Sequence, residues 1–103
     1  MSFEVVRAVS SDHPSLRGHF PGAPIVPAVV ILDEVANALG EWRSGCQLAG
    51  IKIAKFLAPL KPAQSFTISL SAPERDDEGF DFSCRVENRV IVQGRLLVRP
   101  ATT

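Results

Sequence analysis

The sequence predicts a single α+β domain in which one helix is wrapped by a curled antiparallel sheet of about five strands. Three observations carry this. Only one stretch, Ala28 to Arg43, combines good helix formers with an absence of proline, and it is apolar on nearly all sides, which predicts burial on most faces. Most of the chain beyond it is β-rich, with strict alternation over Phe80–Glu87: Phe80, Phe82, Cys84 and Val86 against Asp81, Ser83, Arg85 and Glu87. The order strand, loop, helix and four strands leaves one helix to be buried by one sheet.

Taken in order, Ser2–Ser10 reads as a short strand, with Phe3 and Val5 set against Glu4, Val6 and Arg7. Asp12–Pro27 holds Pro14, Pro21, Pro24 and Pro27 together with Gly18 and Gly22, which bars both helix interior and central strand. An irregular segment of that length in so small a domain is usually functional. Pro27 suits a helix start. Within the helix, Asp33, Asn37 and Glu41 fall four residues apart and form one narrow polar stripe. Strands are expected over Gly50–Leu60, Ser65–Ala72, Phe80–Glu87 and Val90–Arg99. A tight turn at Asn88-Arg89 joins the last two, and the acidic loop Pro73–Gly79 forms a hairpin tip.

With 103 residues and 11.1 kDa, residues 1–103 make one domain, without room for a second core. Eleven basic residues balance eleven acidic ones, which removes the electrostatic case for nucleic acid or an anionic membrane as partner. No apolar run reaches the roughly 18 residues of a membrane span. The start lacks a basic-then-apolar leader, so a cytoplasmic location with Cys46 and Cys84 as free thiols is expected. The two cysteines and two histidines have no metal-ligand spacing, and no metal is expected.

The candidate titrating groups are His13 and His19 in the proline-glycine loop and Asp33 and Glu34 in the helix. Histidine is the usual proton shuttle near neutral pH. A carboxylate enclosed by apolar neighbours such as Val29, Val30, Ile31, Leu32, Val35 and Ala36 needs a partner, or else serves as an acid or hydrogen-bond donor. The residues alone leave two readings open: a working histidine and acid, or a turn histidine with two acids at the solvent edge of the helix.

The stretch Gly18-His19-Phe20-Pro21-Gly22-Ala23-Pro24-Ile25-Val26-Pro27-Ala28, continued by Val29-Val30-Ile31-Leu32-Asp33, resembles the active-site signature of the 3-hydroxyacyl-acyl-carrier-protein dehydratases of FabA/FabZ type. That signature reads G-H-F-P-x-x-P-x-x-P-G, then an apolar stretch and an acid fourteen positions after the histidine. Here 33 − 19 = 14, which selects Asp33 over Glu34. Ile51-Lys52-Ile53-Ala54-Lys55-Phe56 with Pro59 and Pro62 is similar to the family's K-F-x-x-P-x-x-P strand. The resemblance covers most of the chain, which is identified as a compact member.

It implies the hotdog fold and the dehydration of a 3-hydroxyacyl thioester to the trans-2-enoyl thioester, without metal or nucleotide cofactor. It also implies an acyl carrier protein as partner and a homodimer whose histidine and acid meet across the interface. By this resemblance His19 removes the α-proton, Asp33 positions or protonates the departing hydroxyl, and the Ala28 amide bonds the thioester carbonyl. Phe20, Val30, Phe56 and Leu57 line the acyl chain. Two departures stand out: Ala28 replaces the family's glycine, and Leu57-Ala58 and Ala63-Gln64 replace its paired arginines and Gly-Asp turn. Arg43, Lys52, Lys55 and Lys61, then Arg89, Arg95 and Arg99, fall on segments the hotdog order sets side by side, a basic patch suited to an acidic carrier. The rival readings are a hotdog thioesterase and a non-catalytic acyl-thioester or carrier-protein binding module.

Overall fold

The computed structural model describes residues 2–10, 25–73 and 79–101. They form β1 (Ser2–Arg7), α1 (Ala28–Trp42), β2 (Cys46–Phe56), β3 (Phe66–Ser71), β4 (Phe80–Val86) and β5 (Arg89–Pro100). The five strands make one sheet in the order β1-β3-β4-β5-β2, with every neighbouring pair antiparallel. β1 and β2 are consecutive strands in the chain yet occupy opposite edges, so the chain crosses the inner face of the sheet through α1.

Alternation decides which side chains meet the helix. Phe66, Ile68 and Leu70 of β3, Phe82 and Cys84 of β4 and Val92 and Leu96 of β5 are buried against Ile31, Val35, Ala38 and Leu39 of α1. Burial pushes the Cys84 thiol up to about 12, in keeping with its place beside Phe80, Phe82 and Val86 in the alternation of that strand. The helix end is fastened by Trp42, which stacks on Phe3 at 6.0 Å and meets Phe80 edge-on at 5.8 Å.

The sheet curls around the helix at β2 and β5. Register shifts fall between Leu48 and Gly50 and between Ile51 and Ile53. Gly94, beside the second shift, has no room for a side chain: a Cβ there would collide with the Ile53 carbonyl oxygen and lie 2.8 Å from the Phe82 ring. Glycine is required because β2 crosses β5 this closely.

Some boundaries differ from the sequence expectation. β2 begins at Cys46 and ends at Phe56 instead of running to Leu60, because the Leu57 and Ala58 amides both turn to the Ile91 carbonyl and Pro59 follows. The β4–β5 turn is Glu87-Asn88, one residue earlier than expected, with Glu87 at φ 56. Part of the acidic loop, residues 74–78, lies outside the described residues. α1 is not covered on most faces. Ala28, Val29, Asp33, Asn37, Gly40 and Glu41 are all exposed, since a single sheet covers only one side of a helix. The polar stripe at 33, 37 and 41 is therefore open, and Val29 extends it by one turn.

The missing Gly-Asp turn survives in shape. Gln64 N–H donates to the Lys61 carbonyl at 3.2 Å, Pro62 takes the second turn position, and Ala63 takes the left-handed third at φ 64. The Ala63 amide donates to the Val9 carbonyl at 2.7 Å, which ties this turn to the segment after β1.

Two substitutions separate these backbone demands. Ala63→Gly relieves a left-handed alanine and is expected to raise stability by about 0.5–1 kcal/mol in urea denaturation. Gly94→Ala is expected to cost more than about 3 kcal/mol or to prevent folding. A destabilised Ala63→Gly or a tolerated Gly94→Ala would contradict this backbone account.

Candidate active site

The site begins where the chain enters α1. Val26 is buried, and its amide donates to the Leu60 carbonyl at 2.8 Å, pinning the approach to the helix against the segment that leaves β2. Pro27 caps the helix in extended geometry (φ −60, ψ 148) without a side-chain hydrogen bond. Its carbonyl accepts from Val30 at 3.0 Å and from Ile31 at 3.4 Å. The Ala28 and Val29 amides belong to the first turn, which an α-helix leaves without internal acceptors. That turn carries no acidic side chain, so the positive end of the helix dipole is not neutralised from within it.

Asp33 stands about 7 Å along the helix from this end. It is exposed at the centre of the open arc, between Val29 and Asn37. The apolar residues around it in sequence do not enclose it: Ile31 and Val35 point into the core and Leu32 is half-buried. Glu34 has a different task. Its carboxylate lies 3.3 Å from Arg7 Nε on β1, and Arg7 also bonds Glu41 through Nη2. Structure thus separates the adjacent acids into one paired with its own chain and one facing outwards.

The remaining expected site residues fall in several places. Ala28 is exposed at the helix start, whereas Val30 is 5% exposed and part of the core. Phe56 and Leu57, at the end of β2 and just beyond it, are 45% and 54% exposed. His19 and Phe20 lie outside the described residues, as does His13. Sequence reasoning missed Val29, which is 63% exposed beside Asp33. Its signal was present in the helical spacing: it lies one turn before Asp33 on the same stripe.

Two further surfaces are defined. β2 is a sheet edge of eleven residues that exposes Ile51, Ile53 and Phe56. On the sheet face turned away from α1 lies an open groove of about 660 Å³. A cross-strand row of Glu4, Ser69, Ser83, Gln93 and Lys55 crosses it. There the Ser69 hydroxyl and the Arg85 guanidinium hold the Glu4 carboxyl below the usual carboxylate range. The groove is lined by none of the expected site residues. Among the described residues, no helix is long and apolar enough to cross a membrane.

One helix held in a curled five-stranded antiparallel sheet defines the hotdog fold. A family model of the ApeI-like dehydratases matches residues 1–95, and the chain belongs to that family. Among curated proteins it is 26% identical over 104 residues to the 3-hydroxyacyl-[acyl-carrier-protein] dehydratase FabZ of Ehrlichia chaffeensis, covering 93% of this chain and 73% of the relative. To the Haemophilus influenzae FabZ it is 33% identical over 76 residues, 65% of this chain and about half (51%) of the relative. Among solved structures, the dehydratase heterocomplex ApeI:P from Xenorhabdus doucetiae superposes with a TM-score of 0.80 at 21% identity, covering 94% of this chain and 86% of that one. A 1,4-dihydroxy-2-naphthoyl-CoA thioesterase from Synechocystis shares the fold at a TM-score of 0.66 and 12% identity, over 99% of this chain and 85% of its own.

Proposed function

We infer that this protein dehydrates a 3-hydroxyacyl thioester carried on acyl carrier protein, giving the trans-2-enoyl thioester and water in fatty-acid or related acyl biosynthesis. The observation that carries the reading is the placement of Asp33: open, not paired within its own chain among the described residues, and on the same helix as the Ala28 amide.

The substrate carbonyl accepts from the Ala28 amide at the positive end of α1. His19 takes the proton from the α-carbon, and the enolate-like charge that develops on the thioester oxygen is met by that amide and the helix dipole. One such donor contributes roughly 3 kcal/mol. The electron pair then forms the double bond to the β-carbon as the β-carbon–oxygen bond breaks. The departing hydroxyl takes a proton from Asp33 and leaves as water, and proton transfer from His19 resets the pair. Phe56 and Leu57 offer exposed apolar surface to the acyl chain.

Asp33 and Val29 face away from their own sheet, and the β2 edge, which exposes Ile51, Ile53 and Phe56, is unpaired among the described residues. Both features support a homodimer in which a second copy covers α1 and brings its loop histidine to Asp33. Lys52 and Lys55 on β2 lie beside the strand that carries Arg89, Arg95 and Arg99, a basic surface that suits an acidic carrier in the cytoplasm. A companion dehydratase subunit is the second occupant to consider for the open face, because the Xenorhabdus doucetiae relative was solved as a heterocomplex. The thioesterase reading draws on fold alone.

The test is intact-mass analysis of a panel of 3-hydroxyacyl carrier proteins incubated with the full chain. Loss of one water with the wild type is expected, slowed by about 10²–10⁴-fold in His19→Ala and in Asp33→Asn. Release of free acid would replace this reading with the thioesterase. Binding without any change of mass would replace it with the binding module.

A further inference from the structure

We propose that Arg7 is a positioning residue: by holding Glu34 and Glu41 on one flank of α1 it fixes the rotation of the helix about its axis, and with it the direction in which Asp33 faces. The inference rests on the reading of Asp33 as the acid of the dehydration.

Arg7 is the last residue of β1, and the alternation of that strand turns it towards the helix with Phe3 and Val5, not outwards with Glu4 and Val6 as the sequence grouping expected. Its Nε lies 3.3 Å from Glu34 Oε2 and its Nη2 bonds Glu41 Oε2. Glu34 and Glu41 are seven residues apart, so two turns bring them to within about 20° of each other on the helix surface. The planar guanidinium presents separate donors to both carboxylates at once, whereas a lysine ammonium reaches one at a time.

Asp33 projects about 100° around the helix from Glu34. A roll of α1 that loosens the Arg7 contacts therefore carries Asp33 with it. At a side-chain radius of about 6 Å, a roll of about 20° moves a carboxylate by about 2 Å. Misplacement by about 1 Å is enough to cost a reaction of this kind up to ~10²-fold.

The apolar face of Ile31, Val35, Ala38 and Leu39 sets the overall rotation of α1, and Arg7 adds a directional restraint on its polar flank. Trp42 holds the C-terminal end between Phe3 and Phe80, and the Val26–Leu60 hydrogen bond fixes the approach to the N-terminal end. Arg7 reaches the middle of the helix at Glu34, on the flank next to Asp33, and its last turn at Glu41. Between Ala28 and Trp42 the helix has three acids and no basic residue, so the cation that meets two of them comes from β1. Ion pairs this accessible add little to global stability, which separates the proposed role from a general structural one.

The experiment uses the full chain as Arg7→Gln, Arg7→Lys, Glu34→Gln and the Arg7→Gln/Glu34→Gln double variant. It reads steady-state dehydration, melting temperature and amide hydrogen exchange along α1. Arg7→Gln is expected to lower kcat by about tenfold or more with KM within about twofold. Arg7→Lys should fall between it and wild type, and the double variant should be no slower than Arg7→Gln alone. Exchange of the α1 amides around Asp33 should accelerate relative to those of β3 and β4 in Arg7→Gln. A kcat within twofold of wild type in Arg7→Gln would overturn the proposal, as would a loss of kcat that only follows melting temperature and is not relieved by lysine. If the wild type removes water from no substrate, the dehydration reading fails by itself. The exchange measurement still decides whether Arg7 holds the helix, and unchanged α1 exchange in Arg7→Gln overturns that.

Discussion

The structure depends on one burial: the face of α1 formed by Ile31, Val35, Ala38 and Leu39 against the inner side chains of β3, β4 and β5. No second helix shares this load in the described chain, so the sheet has to bend around the one it has. Gly94 and the adjacent register shifts allow that bend by letting β2 approach β5 without an intervening side chain. Half of the helix surface is the most such a sheet can cover. The uncovered half is where Asp33, Val29 and the first-turn amides stand, so the fold that buries the core also leaves these groups open.

Local chemistry then distributes roles along the helix. Two adjacent carboxylates would repel one another and compete for the same work, but an angle of about 100° between them sends them to different neighbours. Glu34 meets Arg7 and becomes part of the scaffold, while Asp33 faces outwards. The proline-rich approach ends with Pro27 capping the helix, which leaves the Ala28 amide at the open end of the dipole. A methyl group at residue 28 leaves that donor in place, since it belongs to the backbone and not to the side chain.

Much of this was legible in the sequence. One proline-free apolar stretch, two alternating segments (Ser2–Ser10 and Phe80–Glu87) and three further β-rich ones specified the α+β class, the single helix and the five strands, because periodicity is set by the local geometry of each element. The stripe at Asp33, Asn37 and Glu41 was legible for the same reason, and so was Cys84 as a core residue. What was not legible is long-range. The pairing of Arg7 with Glu34 and Glu41 joins a strand to a helix through tertiary packing, and nothing in the neighbourhood of either residue announces it. An apolar composition predicted that α1 would be covered on most faces, yet composition does not say whether the cover comes from the same chain. The turn at Pro62-Ala63 kept its left-handed residue without glycine, since the Gln64 and Val9 hydrogen bonds hold the backbone there.

In the mechanism proposed above, the open side of α1 is one half of an active site and a second copy supplies the other half. Mixing two inactive variants tests it most directly. His19→Ala and Asp33→Asn proteins are unfolded together, refolded at equal concentration and assayed for dehydration. If the pair meets across a twofold interface, half of the dimers are mixed and each carries one intact site, so activity should return to about a quarter of the wild-type value. Activity no higher than that of either variant alone would contradict the account and place His19 and Asp33 of one working site in the same chain.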